Sequence, residues 1–372
     1  MKRLGLISVI LGFIFWYGIS FFNYNNNNII NISETIYLIL FFKIIFLFSY
    51  IFFYKFNNFQ KLSKKIVINP NGKLFLIILI FILFSIQNYV SNLGTITIHI
   101  NTSFSAILVY SYYFFNKTDG INKLTYFIIC VFLFIILLDD YSRRYLLEAA
   151  LAIIYLFLIE NKKMKFQNFV KLIFFSSLIL IFYFYLSGLR ENDTFNSLLN
   201  NINTGIDLTF NAMGFDTIYL TDFVLNFYSS ENFLYGESFF AGFVNFIPRA
   251  FWQSKPIAFS IILSSEYYNL NIDSIFTNFG PGIIAEAYAN GGFISTLLFA
   301  MILGIAVSKF DNIIDNGKES SFLIITALIL YPSLIFLVRG DFVNAFYDIY
   351  SRILVIIVIF FFTKKNFKQV IQ

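Results

Sequence analysis

Apolar stretches of bilayer-spanning length recur along the chain and are separated by short polar segments. A helix of about 20 consecutive apolar residues crosses a bilayer, and stretches of about that length occur ten times. The pattern predicts transmembrane helices at residues 4–22, 34–54, 74–91, 95–115, 122–139, 144–160, 168–187, 282–307, 321–338 and 345–363. The sequence therefore predicts an all-α polytopic membrane protein with about ten transmembrane helices.

One polar connection, residues 188–281, is much longer than the others and too long to be a simple linker between helices. Its first half is rich in Asn, whereas its second half alternates aromatic and polar residues. The second pattern is typical of short helices that lie on a membrane surface. We therefore divide the chain into residues 1–187 with helices 1–7, the large loop 188–281, and residues 282–372 with helices 8–10.

Lys residues mark one side of the predicted bundle. If the N-terminus is inside, every inside loop is rich in Lys, as the positive-inside bias requires. These residues are Lys55, Lys61, Lys64, Lys65, Lys73, Lys117, Lys123, Lys162, Lys163, Lys165, Lys171, Lys309, Lys318, Lys364, Lys365 and Lys368. The distribution predicts that both termini are cytoplasmic and that the loop 188–281 is extracytoplasmic.

Composition agrees with a membrane protein and excludes several other classes. The chain is 58% hydrophobic and 13% charged, which is too apolar for a soluble domain of this size. With one Cys and one His, it can form neither a disulfide framework nor a multi-His zinc site. No phosphate loop of the Walker type is present, which argues against an ATP-driven pump. We predict no metal, no cofactor and no nucleic-acid partner.

Arg follows a different distribution from Lys. Of seven Arg in the chain, five fall on the predicted outer side: Arg143, Arg144, Arg190, Arg249 and Arg339. A guanidinium group offers a planar fork of donors that suits bidentate contact with phosphate or carboxylate. Two interpretations stay open. Each Arg could pair with a neighbouring acid and staple the outer loops, or the five together could bind a phosphate or an acidic sugar.

Ionisable residues within predicted spans cluster near the outer ends of the helices. They are Glu34, His99, Arg144, Glu148, Glu286, Asp348 and Arg352. Because charges inside a membrane mark functional sites by default, their similar depth predicts one shared cavity. The alternative is that the pairs Arg144/Glu148 and Asp348/Arg352, each spaced i,i+4, neutralise themselves on one helix face.

Glu286 has no such partner on its own helix. A Gly-Pro-Gly turn at residues 280–282 places it about one turn into a helix, where the helix dipole lowers the pKa of a carboxyl group and burial raises it. Three roles stay open: orienting the acceptor or an Arg, general base, or packing. His99 could be a base or a hydrogen-bonded structural residue. Lys43 is the deepest cation, which predicts a buried partner or a cavity around it.

Four motifs carry a resemblance to a known family. They are S-R-R-Y-L-L-E at Ser142–Glu148, G-E-S-F at Gly236–Phe239 leading to I-P-R-x-x-W-x-x-K-P at Ile247–Pro256, N-F-G-P-G-I-I-A-E-A-Y-A-N-G-G at Asn278–Gly292, and L-V-R-G-D-F at Leu337–Phe342. Together with the many spans and the one large outer loop, they resemble the repeat-unit polymerases of O-antigen or capsule of the Wzy type. The doubled Arg at 143–144 departs from the single Arg of that family's block.

The resemblance implies a GT-C-like fold and a metal-independent membrane glycosyltransferase. It would join undecaprenyl-pyrophosphate-linked oligosaccharide repeat units at the outer face of the bacterial cytoplasmic membrane, with membrane lipids and a chain-length regulator as further partners. On this basis the expected catalytic residues are Glu286, Arg249, Arg144 and Arg339, and the expected substrate-binding residues are Arg143, Arg190, Lys255, Trp252, Tyr288 and His99. The alternative functions are an O-antigen ligase of the same fold and a polysaccharide flippase or transporter.

Overall fold

A computed structural model of the chain describes only part of it. The described residues are 3–18, 20, 32–56, 79–80, 83, 94–139, 143–160, 174, 177–178, 181, 184–185, 188, 200–204, 206, 217–245, 247, 251–272, 279–316 and 321–363. All regular secondary structure in these residues is helical. The predicted all-helical fold class is therefore confirmed for this part of the chain.

Twelve α-helices are numbered here within the described ranges. They are α1 Leu4–Gly12, which continues as a π-helix Phe13–Gly18, α2 Ile32–Phe56, α3 Gly94–Lys117, α4 Gly120–Asp139, α5 Arg143–Glu160, α6 Thr217–Phe227, α7 Glu237–Val244, α8 Phe259–Tyr268, α9 Ile283–Ala289, α10 Gly292–Asn316, α11 Ser321–Leu337 and α12 Phe342–Thr363.

Four helices are long and apolar enough to cross a membrane. The qualifying segments are Ser33–Lys55, Gly120–Leu137, Gly292–Asp315 and Phe342–Ile359, and shorter apolar helices cover Leu4–Gly18 and Phe322–Leu337. The chain is thus a multi-pass membrane protein, and the count of ten spans and the GT-C likeness stay predictions. The predicted spans 74–91 and 168–187 lie almost wholly outside the described residues.

The predicted span at 282–307 consists of two helices. The chain forms the short helix α9, turns at Asn290–Gly291, and then begins the long apolar helix α10 at Gly292. Gly292 adopts a left-handed conformation with φ 64°, which breaks the continuity of a right-handed helix. Glu286 therefore lies on a separate helix that precedes the membrane span.

The long helices pack around two apolar cores. One lies among α3, α4, α5, α11 and α12, and the other lies among α1, α2, α10 and α11. The short helices α6 and α8 enclose a third, smaller core with α9. Three short helices in the second half of the long loop agree with the prediction from its sequence pattern, whereas their position on a membrane surface stays a prediction.

Several helices begin or end at the same end of the bundle. We call this the site end: it is the end at which α5 and α12 begin and α11 ends. The π-helix after α1 also reaches it, because the Trp16 indole N–H donates a hydrogen bond to the Ile335 carbonyl over 2.9 Å. Pro332 interrupts the hydrogen-bond ladder of α11 one turn before this contact.

Candidate functional site

A network of four charged side chains joins α5 to α12 at the site end. Arg144 contacts Asp348 on the other helix, and Arg352 contacts Glu148. Arg144 also reaches Glu148 on its own helix, with 3.4 Å between Nε and Oε1. The expected Arg144/Glu148 pair is thus present, and two further pairs cross between the helices, so each Arg also engages the acid of the other helix.

Arg144 is the member of this network that reaches the surface. Its side chain is 33% exposed, whereas the side chains of Glu148, Asp348 and Arg352 are at most 1% exposed. Burying three charges together is tolerable because the group is neutral as a whole and its members bond to each other. The network therefore carries one partly exposed arginine side chain on three buried charged groups.

Two aromatic rings connect Arg144 to Arg339. The Arg144 guanidinium lies 5.1 Å from the centre of the Phe336 ring, and the Arg339 guanidinium lies 4.6 Å from the Trp16 ring. The two rings are neighbours, with centroids 5.9 Å apart. Stacking on aromatic faces holds each guanidinium group in place.

The Gly-Pro-Gly turn docks directly against the end of α11. The Gly282 N–H donates to the Arg339 carbonyl over 2.7 Å, and the Ile283 N–H donates to the Val338 carbonyl over 3.2 Å. Gly282 has φ 82°, and an added Cβ would lie 2.6 Å from both Thr217 and the Tyr17 hydroxyl. This position thus requires glycine for two reasons, and its fit fixes α9 beside Arg339.

Glu286 lies in the first turn of α9, as predicted, and is fully buried. Its Oε1 accepts a hydrogen bond from the Ser238 hydroxyl at 2.6 Å, and its Oε2 accepts one from the Phe342 N–H at 2.5 Å. Asn290 supports the same junction by donating to Ser238 over 2.8 Å. The carboxyl group thus ties α9 to the starts of α7 and α12.

Asp341 is a second buried carboxyl group beside Glu286. It caps α12 by accepting from the Asn344 N–H over 2.9 Å, and it accepts from the Ser260 N–H of α8 over 3.0 Å. Burial, and secondly the charge of Asp341, raise the pKa of Glu286 to about 8, although the bonds from Ser238 and Phe342 oppose the shift. Of the two opposing effects named in the sequence analysis, burial prevails. Asp341 also interacts electrostatically with Arg144 and so links the two parts of the site.

The expected substrate-binding residue Lys255 points into the protein. Its ammonium group donates to the carbonyl of Asn245 at 3.0 Å, to the Asn245 side-chain oxygen at 3.2 Å and to the carbonyl of Ile247 at 2.9 Å. It thereby satisfies backbone acceptors just after the end of α7, where a helix leaves carbonyl groups without partners. The geometry favours a structural role for Lys255.

The two expected aromatic residues, Trp252 and Tyr288, pack against other aromatic rings. Trp252 is partly exposed and packs edge-on against Phe240 of α7, with ring centroids 6.3 Å apart. Tyr288 on α9 packs against Phe233 and Phe293. Glu34 of α2 is close enough to Tyr288 to interact with it electrostatically.

Four expected site residues, or their side chains, lie outside the part of the chain that the structure describes. Arg190 and Arg249 lie outside the described residues, and the side chains of Arg143 and His99 are likewise outside the description, although both residues are helical. Their assigned roles stay predictions. Lys43, which was expected to have a buried partner or a cavity, has its ammonium group 5.3 Å from the Phe13 ring and 5.7 Å from the Tyr17 ring.

Sequence reasoning did not single out four residues that build the site: Asp341, Ser238, Trp16 and Phe336. Asp341 carried a detectable signal, because an Asp immediately before an apolar run is a helix N-cap pattern. Ser238 lies within the motif at Gly236–Phe239, although no role was assigned to it, whereas Trp16 and Phe336 carry no local signal, since each acts through a partner far away in the sequence. Within the described part of the chain, no group of three or more His, Cys, Asp or Glu is arranged to hold a metal ion.

These features define a class of protein: a multi-pass helical membrane protein with paired arginines and buried carboxyl groups at one end of its bundle. The profile of the family "O-antigen polysaccharide polymerase Wzy" matches residues 142–370. Because the match covers more than half of the chain and contains all four motifs, the chain belongs to this family, and it is in general terms an O-antigen repeat-unit polymerase. No curated protein and no solved structure matches it.

Proposed function

We propose that the protein joins undecaprenyl-pyrophosphate-linked oligosaccharide repeat units into O-antigen or capsular polysaccharide at the outer face of the bacterial cytoplasmic membrane. The family supports the polymerase activity in general. The observation that carries the finer proposal is the pair Arg144 and Arg339, which is held on the Phe336–Trp16 rings at one end of the bundle.

The chemistry of this transfer suits a site rich in guanidinium groups. The acceptor hydroxyl oxygen forms a bond to the anomeric carbon of the growing chain, and the bond from that carbon to the pyrophosphate oxygen breaks with its electron pair on the pyrophosphate. The hydroxyl proton passes to water or to the departing pyrophosphate. Negative charge then builds up on the departing pyrophosphate, and fixed donors aimed at that charge stabilise the transition state. We assign this role to Arg144 and Arg339, which would supply the stabilisation that a divalent cation supplies in many transferases.

Glu286 fits an orienting role better than that of a general base. Both of its oxygens accept hydrogen bonds from the protein, and the group is fully buried, so an acceptor hydroxyl does not reach it in this arrangement. A general base must lie within hydrogen-bond reach of the proton that it removes. We propose that Glu286 fixes the junction of α7, α9 and α12, and with it the loop 338–341, which contains Arg339.

Polymer length in a strain that lacks the gene tests this function. Plasmid-borne wild type should restore long polysaccharide, whereas Arg144→Lys and Arg339→Lys should leave single capped repeat units, because Lys keeps the charge but lacks the fork. Arg3→Lys is the matched control, since Arg3 stacks on Tyr54 at the opposite end of the bundle. Unattached polymer in the deletion strain would instead indicate a ligase, and repeat units trapped inside would indicate a flippase.

A further inference from the structure

Arg352 is a deeply buried charge that the proposed chemistry does not use. Its guanidinium contacts Glu148, donates to the Ile329 carbonyl of α11 over 3.2 Å, and lies close enough to Arg144 for the two positive charges to interact. A buried guanidinium is costly, and a buried ion pair is often no more stabilising than apolar residues of similar volume. A contribution to stability therefore does not by itself explain why an Arg occupies this buried position.

The charge balance of the network indicates a more specific role for Arg352. Two carboxyl groups, Glu148 and Asp348, contact the partly exposed Arg144. Arg352 engages Glu148 from the buried side and so takes up much of its negative charge. Without Arg352, both carboxylates would be balanced by Arg144 alone, and little positive potential would remain at the surface.

The network also has unused bonding capacity that would act in the same direction. Asp348 Oδ1 and Arg352 Nε are both buried and have no hydrogen-bond partner among the described residues. If the charge of Arg352 were removed, its repulsion of Arg144 would be lost, and Arg144 could move towards the free oxygen of Asp348 and form a second hydrogen bond with it. The partly exposed guanidinium would then be drawn inward.

We propose that Arg352 is a positioning residue: by occupying Glu148 it holds the Arg144 guanidinium outward and keeps its charge available to a pyrophosphate group. The proposal rests on the proposed function of Arg144. Arg352 itself touches no substrate in this scheme, because its side chain is enclosed between α5, α11 and α12.

Binding of inorganic pyrophosphate to the purified protein in lipid nanodiscs, measured by calorimetry, tests the proposal. Arg352→Gln should raise the Kd about tenfold, which is the change expected on removing a unit charge roughly 12 Å away at an effective dielectric constant of about 20. Glu148→Gln should lower the Kd, because it removes a competing negative charge. The double variant Glu148→Gln/Arg352→Gln, which is neutral at both positions, should bind within about threefold of wild type.

These opposite signs separate positioning from mere packing. A purely structural role would lower the melting temperature of both single variants and leave the Kd of the folded fraction unchanged, which would overturn the proposal. If Arg352→Gln does not fold, the other two variants decide, and equal Kd values for Glu148→Gln and the double variant would also overturn it. Arg144→Gln serves as the reference. If it leaves the Kd unchanged, the proposed function of Arg144 fails, whereas a loss of binding in Arg144→Gln with no change in Arg352→Gln refutes the positioning role alone.

Discussion

At the scale of the residue, the pKa of Glu286 decides how its junction responds to pH. The folded protein holds this pKa at about 8, above the ordinary value of 4.5, because burial disfavours the charged form. As pH rises from about 4.5, the unfolded chain loses its proton first while the folded protein keeps it. The free energy of unfolding therefore falls with pH up to about pH 8 and changes no further above it, with a slope of at most about 1.4 kcal/mol per pH unit.

Glu286→Gln should remove this dependence, because the amide keeps the size of the side chain but has no proton to lose. We expect the melting temperature of the purified wild type to decrease between pH 5 and pH 8, and that of the variant to be nearly constant over the same range. Glu237→Gln, at an exposed carboxyl group on the first turn of α7, is the control and should keep the wild-type slope. A wild-type melting temperature that is constant with pH would contradict the shifted pKa.

The charged residues also show what a single sequence can reveal at this scale. The spacing of Arg144 and Glu148 on one helix face was readable, and the structure contains that contact. The crossed pairs were not readable, because each joins residues 204 positions apart and depends on how α5 packs on α12. Lys255 illustrates the same limit: its charge suggested an anionic ligand, whereas in the structure it donates to the carbonyl groups of Asn245 and Ile247 and to the Asn245 side chain, which the fold brings near.

At the scale of the element, Asp311 of α10 holds the start of α1. Its two oxygens accept hydrogen bonds from the Gly5 and Leu6 N–H groups and from the Tyr50 and Tyr331 hydroxyl groups. One buried carboxylate thus joins four helices and satisfies two of the donors that a helix N-terminus leaves free.

Asp311→Asn should lower the free energy of unfolding by about 2–4 kcal/mol, because the amide places a donor against donors in a buried position. Thermal unfolding in detergent measures the effect. Asp315→Asn is a matched control on the same helix, where the carboxylate accepts from the partly buried Tyr54 hydroxyl and the loss should be smaller. Equal losses in the two variants would show that Asp311 does not hold α1.

The helix α7 has an apolar face that the described protein does not cover. Phe240 and Phe243 are exposed on it, and the neighbouring Phe251 is 86% exposed. The Phe243 ring also packs against Phe346 on α12, the helix that contains the candidate span Phe342–Ile359. This contact places the aromatic face at the boundary of a membrane span, where aromatic side chains are favoured. We predict that α7 lies in the membrane interface.

Trp252 packs on this face and can report its surroundings. The chain has two Trp, and the other, Trp16, is buried. The fluorescence that is lost in Trp252→Phe therefore belongs to Trp252. In vesicles of brominated phospholipids, this component should be strongly quenched when the bromine lies near the headgroups. Strong quenching by aqueous iodide with none by brominated lipid would place the face in water or against a protein partner.

Element existence was easier to predict than element continuity. Long apolar stretches gave α2, α3, α4, α5 and α12 at nearly their observed bounds because burial or lipid contact needs apolar residues all along a helix. The division between α9 and α10 was missed, since the apolar run continues across it and the turn depends on Gly292 and on the packing of Phe233 against it.

At the scale of the whole molecule, the sequence predicted the fold class and the family, but only part of the site. Arg144 and Arg339 were expected together because both fall on the predicted outer side, and the structure places both against neighbouring rings. The support beneath them was not predictable from local patterns, because it is assembled from α5, α11, α12 and the π-helix. A helix bundle brings residues that are distant in the sequence together at its ends. The sequence pattern indicates at which end of the bundle a residue lies, but not which side chains it contacts there.

The orientation of the bundle is the remaining prediction at this scale, and it determines where the chemistry takes place. The bias of Lys predicts that the loop between α3 and α4 is cytoplasmic and that the loop after α6 is outside. After replacement of Cys130 by Ser, a single Cys at Ser229 should react with a membrane-impermeant thiol reagent in intact cells, because this residue is exposed just beyond α6.

A single Cys in Asp119→Cys tests the predicted cytoplasmic side of the membrane. Asp119 is exposed in the turn between α3 and α4, so its thiol should react only after the membrane is permeabilised. Because residues 229 and 119 lie in different predicted compartments, reagent leakage would label both and reveal itself. Labelling at position 119 in intact cells, with position 229 protected until lysis, would invert the bundle. The Arg144 and Arg339 pair would then face the cytoplasm, and this result would refute the proposal that polymerisation takes place at the outer face.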